Sequence, residues 1–204
     1  MKIVGFLIIA VIVSFFLVSK QTRAKIRVEI MGQEVEKAVF AGGCFWCIES
    51  DFKKLDGVIQ AQSGYAGGTS ATATYEMVSG GITDHFEVIE VTYDPSQVSY
   101  KALVEYFYQH VDPLDAKGQF CDKGDQYRSA IFYKDETEMK AAQEVSAWAS
   151  KKLGQAVVTT LEKLDQFYLA EGYHQNYAKR NPIRYNYYRR SCGRDKRVKA
   201  VWGK

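Results

Sequence analysis

Proline and cysteine are scarce in this sequence, whose 204 residues include three prolines and four cysteines. Four cysteines at the irregular positions 44, 47, 121 and 192 are too few for a disulfide-stapled scaffold, which excludes the small cross-linked secreted domains. Internal repeats and low-complexity linkers are also missing. A hydrophobic fraction of 47% is instead typical of one globular domain with a single core.

Excess charge is missing from most of the chain as well. The formal net charge is +3, but five Lys or Arg residues against one Glu fall within residues 1–30, so residues 31–204 are close to neutral. This balance argues against a large electrostatic footprint for nucleic acid, and we expect no nucleic-acid partner. The basic residues from Arg180 to Lys204 are typical of a solvated face, with an acidic partner as the alternative.

Residues 1–30 form a separate segment, because Ile3 to Val18 is almost wholly apolar and basic residues follow from Lys20 onward. This run exceeds most signal-peptide cores and is slightly shorter than a membrane span of about 20 residues. We expect a signal or membrane anchor in residues 1–30 and a globular domain in residues 31–204, membrane-anchored or exported to the periplasm. The side of the membrane stays open, because the flanking charges favour a cytoplasmic domain whereas such a leader usually marks export.

Strand and helix patterns alternate from residue 37 to residue 180. The predicted strands are 37–41, 58–65, 86–93, 129–133 and 156–161, and the predicted helices are 45–55, 75–79, 99–111, 135–153 and 173–180. The order of the main elements is typical of a split βαβ unit, an α+β fold with helices on one face of a mixed or antiparallel sheet. Residues 183–204 have no usable periodicity, so we predict a long irregular C-terminal tail.

The stretch from Gly42 to Cys47 joins a predicted strand to a predicted helix through two glycines. Cys44 falls at the helix N-terminus, where unpaired N–H groups and the helix dipole favour an anion. A thiol held there is partly ionised near neutral pH and is a nucleophile. Phe45 and Trp46 follow at an exposed corner and are interpreted as the walls of an apolar pocket. A buried structural cysteine is the alternative.

A carboxylate and a loop aspartate are the other candidates for chemistry. Glu87 shares a strand face with Ile89 and Val91, and a carboxylate on an apolar face tends to have the raised pKa that a proton donor at neutral pH needs. The alternative is that Glu87 reaches solvent at the strand end. Asp122 lies in a polar loop. The three histidines show no triad or metal-ligand spacing, and the aromatic stretch 167–177 is interpreted as core packing.

Cys44 and Cys47 also form a C-x-x-C pair, whose members lie on one helix face within reach of a disulfide. Such a pair gives a second hypothesis, a membrane-tethered thiol–disulfide oxidoreductase. None of the three prolines precedes a strand that would face the pair, which counts against this hypothesis. A four-cysteine metal site needs a second C-x-x-C pair, so we predict no metal.

Blocks of sequence from Lys37 to Pro182 resemble the A-type peptide methionine sulfoxide reductases, in the order of that family. The blocks are Gly42–Trp46, Gly64–Gly68, Thr74-Tyr75, His85–Val88, Tyr93–Pro95, Asp122, Gln126–Ser129 and Tyr173–Gln175. The resemblance implies reduction of methionine-S-sulfoxide, free or in oxidised proteins, as a repair of oxidative damage. It also implies a ferredoxin-like core, no metal or organic cofactor, and thioredoxin or another dithiol as reductant. We expect a monomer.

The resemblance assigns roles to the candidate residues. Cys44 matches the nucleophile that attacks the sulfoxide sulfur, and Glu87 matches the acid that protonates the departing oxygen. Tyr75 and Tyr127 match the tyrosines that hydrogen-bond this oxygen, where charge develops in the transition state. Asp122 would orient the polar side of the site. The two aromatic residues after the nucleophile would hold the methyl group of the substrate.

The resemblance also implies a second cysteine, because the sulfenic acid left on Cys44 condenses with a thiol to a disulfide that a dithiol reduces. Many relatives carry one or two cysteines in a glycine-rich tail, whereas this tail has Cys192 alone and little glycine. We predict that Cys192 resolves the sulfenic acid, because an unstructured tail can swing over the pocket. Cys47 and Cys121 are the alternatives.

Overall fold

The computed structural model describes residues 34–203, so the predicted signal or anchor in residues 1–30 lies outside the described residues. Among the helices of residues 34–203, none has the length and apolar character needed to cross a membrane. In chain order the helices and strands are β1 (Glu36–Gly42), α1 (Phe45–Phe52), β2 (Val58–Ala66), α2 (Tyr75–Ser79), β3 (Phe86–Tyr93), α3 (Tyr100–Tyr108), β4 (Gly118–Gln119), β5 (Asp122–Lys123), β6 (Ser129–Tyr133), α4 (Glu136–Leu153), β7 (Thr160–Lys163), β8 (Tyr168–Leu169), α5 (Tyr177–Arg180), α6 (Pro182–Ser191) and α7 (Arg194–Trp202).

A six-stranded mixed sheet forms the centre of the domain, in the order β7-β6-β1-β3-β2-β8. Neighbouring strands in this sheet are antiparallel except β6 and β7, which are parallel. The four inner strands β6, β1, β3 and β2, with α1 following β1 and α3 following β3, make the split βαβ arrangement. The predicted α+β, ferredoxin-like core is therefore confirmed. A separate two-stranded ribbon joins β4 to β5.

Two long helices begin where the sequence predicts, and α4 also ends there, whereas α3 ends at Tyr108 rather than at residue 111. The side chain of Ser99 accepts a hydrogen bond from the backbone N–H of Ala102 and caps α3. Asp135 caps α4 in the same way, through a bond of 2.9 Å from the N–H of Glu138. The α4 helix ends at Gly154, which has a φ of +70° as expected of a left-handed helix C-terminus.

The main core lies between the sheet and helices α1 and α3. Phe40 of β1 stacks on Phe52 of α1 at 5.1 Å and on Phe107 of α3 at 5.3 Å between ring centroids. Alternation along β3 turns Ile89 toward this core and Val88 toward the smaller core on the opposite face. Glu87 lies on the same face as Ile89, so its carboxyl group points to the side of the sheet that α1 covers.

The predicted irregular C-terminal tail is wrong, because most of residues 182–202 are helical in α6 and α7. These helices lack a continuous apolar stripe, and polar anchors add to the contacts that Val198, Val201 and Trp202 of α7 make with the main core. The buried guanidinium of Arg194 donates to the backbone oxygens of Gly42 (3.1 Å) and His110 (2.9 Å). The indole N–H of Trp202 donates to the oxygen of Val111. These partners are distant in sequence, so local periodicity gives no sign of them.

Several predicted boundaries also move. The first helix ends at Phe52 rather than at residue 55, and α5 spans Tyr177–Arg180 rather than residues 173–180. The strand predicted at 156–161 forms later, as β7 over Thr160–Lys163, where it pairs with β6. For β7, pairing with β6 sets the boundary more strongly than local residue preference does.

Candidate active site

A small cavity of about 90 Å³ opens at the N-terminus of α1. Four different parts of the chain line it: the start of α1, α2 with β3, the segment around β5, and α6. Its lining residues are Cys44, Phe45, Trp46, Tyr75, Glu87, Asp122, Tyr127 and Tyr188. The structure thus brings together every residue that the sequence predicts for catalysis and substrate binding. Tyr188 is the one lining residue that the sequence analysis missed.

Cys44 is the N-cap residue of α1, as predicted, and its side chain is 7% exposed. The preceding Gly43 has a φ of +78°, and a Cβ there would lie 2.5 Å from the Cβ of Gln119. Glycine is therefore required at this turn on both backbone and steric grounds. The turn sets the direction in which the Cys44 sulfur enters the cavity.

Burial opposes the predicted ionisation of the Cys44 thiol in this structure. Burial raises the pKa of Cys44 well above its ordinary value, and the nearby Cys47, Glu87 and Asp122 raise it further. The first free N–H of α1, that of Phe45, donates to Oε2 of Glu87 at 3.0 Å. The thiol therefore loses more from desolvation than it gains from the helix N-terminus.

Cys47 is the more acidic member of the C-x-x-C pair. A hydrogen bond from Cys44 lowers the pKa of Cys47 against the effect of burial, and the positive charges of Arg194 and Arg189 lower it further. Both cysteines of the pair are free thiols. The two arginines lie in the C-terminal helices, so the predicted tail segment contributes charge to the site.

Glu87 has the environment that the sequence predicts. Its side chain is 2% exposed, and burial raises its pKa to about 8, partly opposed by the hydrogen bond from the Phe45 N–H. The negative charge of Asp122 raises the pKa further. Glu87 therefore carries a proton at neutral pH and is able to donate it inside the cavity.

Two tyrosine hydroxyls face the same cavity from different elements. Tyr75 is the first residue of α2, and its backbone N–H donates to Oε1 of Glu171 at 2.9 Å. Tyr127 ends a short 3-10 turn over residues 125–127. Burial, followed by the charge of Glu87, raises the pKa of both phenols. Both hydroxyls therefore stay protonated and serve as hydrogen-bond donors to an oxygen bound between them.

Trp46, one of the two predicted pocket walls, is fixed by residues of the aromatic stretch. Its ring stacks on Tyr177 at 3.7 Å with an interplanar angle of 6°, and its N–H donates to Nδ1 of His174 at 3.0 Å. Burial lowers the pKa of His174, so the ring is neutral, as an accepting Nδ1 requires. The stretch 167–177 therefore supports the site as well as the core, a role that the packing interpretation missed.

The C-terminal helix α6 closes one side of the site through Tyr188. The Tyr188 hydroxyl donates to Oδ2 of Asp122 at 2.5 Å, and burial raises the pKa of the half-buried Asp122. Cys192 is the C-cap residue of α6 and forms a disulfide with Cys121. The picture of Cys192 on an unstructured, swinging tail is therefore wrong, because the helix and the disulfide fix its position.

Potential metal ligands come together at one point of the described chain, where side-chain atoms of Cys121, Asp122 and Cys192 lie within 4.8 Å of one another. Because the two sulfurs are joined in a disulfide, they offer no thiolates to an ion. We assign no metal to this cluster.

Comparison with known proteins agrees with this geometry. The family model described as "Peptide methionine sulfoxide reductase" matches residues 36–204. The Rhizobium meliloti protein named peptide methionine sulfoxide reductase MsrA 2 is 48% identical over 170 residues, which are 83% of this chain and 85% of the relative. MsrA of Bacillus licheniformis is 40% identical over 180 residues, covering 85% of this chain and 97% of that protein.

A solved structure shows the same fold. Mxr1 from Saccharomyces cerevisiae in reduced form superposes with a TM-score of 0.70 and 32% identity, over 73% of this chain and 87% of Mxr1. These comparisons give no support to the second hypothesis, a thiol–disulfide oxidoreductase built on Cys44 and Cys47. The relatives bear reductase names, and the tyrosines and Glu87 around the thiol would have no use in simple disulfide exchange.

Proposed function

We propose, from the premise that this chain belongs to the peptide methionine sulfoxide reductase family, that Cys44 reduces methionine-S-sulfoxide in the cavity at the start of α1. The chain is then a peptide-methionine (S)-S-oxide reductase that repairs oxidised methionine, free or in proteins. No step of the reaction described below uses a metal or an organic cofactor.

One observation carries the proposal: a buried thiol and a buried carboxylic acid line one small cavity. Cys44 and Glu87 both border the cavity of about 90 Å³, and burial raises the pKa of Cys44 and brings the pKa of Glu87 to about 8. A sulfoxide needs both a nucleophile at its sulfur and a proton at its oxygen. The pair supplies these two requirements at neutral pH.

The aromatic and phenolic groups account for the binding of the sulfoxide. Phe45 and Trp46 provide an apolar surface for the methyl group. The hydroxyls of Tyr75 and Tyr127 donate to the sulfoxide oxygen, on which negative charge grows as the sulfur is attacked. Asp122 completes the polar side of the cavity, opposite the apolar walls.

The chemical step moves one oxygen atom between two sulfurs. The Cys44 sulfur attacks the substrate sulfur, and the substrate oxygen takes the proton of Glu87 and is transferred to Cys44 as a sulfenic acid. The thiol proton of Cys44 replaces the proton that Glu87 donates, so Glu87 ends the step protonated. The substrate sulfur gains two electrons and leaves as methionine, while the Cys44 sulfur loses two.

Two further cysteines return Cys44 to a thiol. The Cys192 thiol attacks the sulfenic acid, releases water and forms a Cys44–Cys192 disulfide. The Cys121 thiol then attacks the Cys192 sulfur, which frees Cys44 and forms Cys121–Cys192. The pairing of Cys121 with Cys192 beside a free Cys44 supports this order. Cys121 is exposed, so a thioredoxin-like dithiol has access to the final disulfide.

The decisive experiment measures reduction of each sulfoxide epimer with dithiothreitol. The parent is expected to reduce the S epimer and leave the R epimer untouched. Cys44→Ser should be inactive, whereas Cys47→Ser, the matched control one helix turn away, should keep most of its first-turnover activity. Activity in Cys44→Ser, or equal reduction of both epimers, would contradict the proposal.

We also propose that residues 1–30 direct the domain to the membrane or across it. The support is the apolar run from Ile3 to Val18 in the sequence. Protease treatment of spheroplasts distinguishes the two sides, because a periplasmic domain is digested and a cytoplasmic one is protected. Recovery of the full-length protein in the soluble fraction would contradict both a retained anchor and cleavage on export.

A further inference from the structure

Tyr188 is the lining residue of the cavity that the reaction above leaves without a role. Its hydroxyl donates to Asp122 at 2.5 Å and lies within hydrogen-bonding reach of the Cys44 sulfur. The edge of its ring faces Trp46, with 6.0 Å between ring centroids. The side chain therefore touches the nucleophile, a methyl-pocket wall and the polar side of the cavity at once.

The helix that carries Tyr188 is also joined to the site by a disulfide, one helical turn after Tyr188. Cys192 follows Tyr188 by four residues, and its backbone N–H bonds to the Tyr188 oxygen at 3.0 Å, so the two side chains lie on the same face of α6. Cys192 is disulfide-bonded to Cys121, the neighbour of Asp122 in sequence. Two adjacent links, Tyr188–Asp122 and Cys192–Cys121, thus join α6 to one short segment.

The Tyr188–Asp122 bond and the Cys192–Cys121 disulfide hold α6 in a position that two steps of the reaction do not allow. A sulfoxide bound against Cys44 needs the space into which the Tyr188 hydroxyl projects, and the Cys44 side chain is only 7% exposed with Tyr188 in place. Resolution needs Cys192 itself to reach the Cys44 sulfur, so α6 must shift by about one helical turn, roughly 5 Å, from its present register. Neither event is compatible with both links intact.

We propose that Tyr188 is a gate of the sulfoxide pocket whose position is set by the redox state of Cys121 and Cys192. While the disulfide is present, it holds α6 so that Tyr188 blocks access to Cys44. Reduction by an external dithiol breaks the S–S bond, delivers two electrons and two protons to form two thiols, and leaves the reductant as a disulfide. Tyr188 is then free to leave the cavity.

The junction after α6 allows this motion to stay local. Gly193, with a φ of +66°, separates α6 from α7. The α7 helix keeps its own anchor through the buried Arg194. Arg189 of α6 also pairs with Asp51 of α1 and with Asp195 of α7, so a shift of the end of α6 must break these two ion pairs while Arg194 holds α7 in place.

The gate has a chemical consequence for the enzyme cycle. A second sulfoxide reduced while Cys192 is still bonded to Cys121 would leave a Cys44 sulfenic acid without the Cys192 thiol that resolves it. Such an acid is open to irreversible oxidation to the sulfinic acid. Closing the pocket until the disulfide is reduced prevents this loss. The inference rests on the proposed function, because it takes Cys44 and Cys192 in the roles given above.

The test compares access to Cys44 in two redox forms of the full chain. One sample is reduced with dithiothreitol, which is then removed, and the other is oxidised until mass spectrometry finds Cys121–Cys192 with Cys44 free. Each is treated with iodoacetamide at one pH, and carbamidomethylation of Cys44 is followed by peptide mapping. We expect Cys44 of the disulfide form to react about tenfold more slowly than Cys44 of the reduced form.

Variants separate a gate from a merely structural tyrosine. Tyr188→Ala should abolish the difference between the two forms, and Tyr188→Phe, which keeps the ring but loses the Asp122 bond, should reduce it. Tyr187→Ala is the matched control, because its side chain is 76% exposed on the same helix, and it should keep the full difference.

Equal alkylation rates in the two forms of the parent, or a difference that survives in Tyr188→Ala, would overturn the gate. The alkylation comparison tests the gate independently of whether the chain reduces sulfoxides. Failure of the reduced parent to convert methionine-S-sulfoxide would instead overturn the proposed function.

Discussion

The backbone N–H of Phe45 donates a hydrogen bond of 3.0 Å to Oε2 of Glu87. Through this bond, the partial positive charge at the N-terminus of α1 interacts with the carboxyl group of Glu87 rather than with the thiol of Cys44. It also orients the carboxyl group, so that its other oxygen is available to hold the proton toward the cavity. The helix N-terminus therefore positions the proton donor, while burial controls the protonation of both groups.

The first prediction concerns the proton donor. Glu87→Gln keeps the shape of the side chain and removes the acid, so we expect the rate of methionine formation in a single turnover to fall by roughly 10²–10⁴. In the parent, this rate should also fall above about pH 8, because burial raises the pKa of Glu87 to about 8 and its proton is lost there. The rates are measured by rapid quench between pH 6 and pH 10.

The variant supplies its own control for the pH profile. The decline above pH 8 should be missing in Glu87→Gln, since no carboxyl group remains to titrate. A parent-like rate in the variant, or the same decline in both proteins, would show that another group donates the proton.

The same shift of pKa predicts a change in stability. The folded state holds the Glu87 proton up to about pH 8, whereas an unfolded chain loses it near the ordinary value of 4.5. The free energy of unfolding should therefore decrease as pH rises from about 4.5 to 8, by up to roughly 5 kcal/mol from this group alone. Urea unfolding of parent and Glu87→Gln at pH 5 and pH 8.5, in one redox state, measures this change as a difference between the two proteins. A constant difference across this range would contradict the buried, protonated Glu87.

Local sequence pattern was enough to place Cys44 and Glu87, whereas Tyr75 and Tyr127 were identified only through the family resemblance. The alternation of β3 places Glu87 on the apolar face, and the strand–glycine–helix pattern places Cys44 at an N-cap; both depend on neighbours within a few residues. The rise in the pKa of Cys44 could not be predicted from local pattern, because it depends on burial beneath segments more than 30 residues away.

Long-range contacts explain the other features of the site that the sequence did not predict. Tyr188 lines the cavity only because α6 folds back over it, and α6 is held by the ion pair of Arg189 with Asp51 and by a disulfide rather than by a periodic apolar face. The pairing of Cys121 with Cys192 spans 71 residues and leaves no trace in local pattern. The fold of the sheet was predictable because apolar residues recur along the core strands and helices with the period of each type of element.

The second wall of the methyl pocket depends on His174. His174→Ala leaves the buried indole N–H of Trp46 without its acceptor, so we expect the free energy of unfolding to drop by about 1–3 kcal/mol. The KM for the sulfoxide should rise more than kcat falls, because the wall is loosened while Cys44 and Glu87 are untouched. His174→Gln offers an acceptor and should restore part of both losses.

A double-mutant cycle with Trp46→Phe tests whether the effect passes through this bond. If it does, His174→Ala should lower the free energy of unfolding only slightly further in the Trp46→Phe background, which already lacks the indole N–H. Full additivity of the two substitutions would contradict a positioning role for His174.

Arg194 is expected to link the stability of the C-terminal helices to the acidity of Cys47. Arg194→Met removes the donor to Gly42 and His110, and we expect a loss of about 2–5 kcal/mol in unfolding free energy. The pKa of Cys47 should rise, because the positive charge of Arg194 lowers it in the parent, in addition to the hydrogen bond from Cys44.

The pH dependence of alkylation at Cys47, mapped by mass spectrometry, reads this pKa directly. Arg197→Met is the matched control on the same helix, because it removes a half-exposed cation that pairs with Asp112 rather than acting on Cys47. An unchanged pKa of Cys47 in Arg194→Met would contradict the electrostatic link.

The order of the recycling cysteines predicts different stalled species in different variants. Cys192→Ser should form one equivalent of methionine and stop with a sulfenic acid on Cys44, whereas Cys121→Ser should stop one step later with a Cys44–Cys192 disulfide. Both should keep a parent-like first turnover and lose turnover with a thioredoxin-like reductant. Dimedone trapping detects the first species, and non-reduced peptide mapping detects the second.

Cys47 is the competitor in this order, because it shares a hydrogen bond with Cys44 and is the more acidic thiol. Cys47 is only 2% exposed, so a Cys44–Cys47 disulfide would be inaccessible to a protein reductant. Cys47→Ser should therefore sustain many turnovers with the dithiol reductant. A stalled Cys47→Ser enzyme, together with a Cys44–Cys47 disulfide in the oxidised parent, would transfer the resolving role to Cys47 and leave Cys121–Cys192 as a structural cross-link.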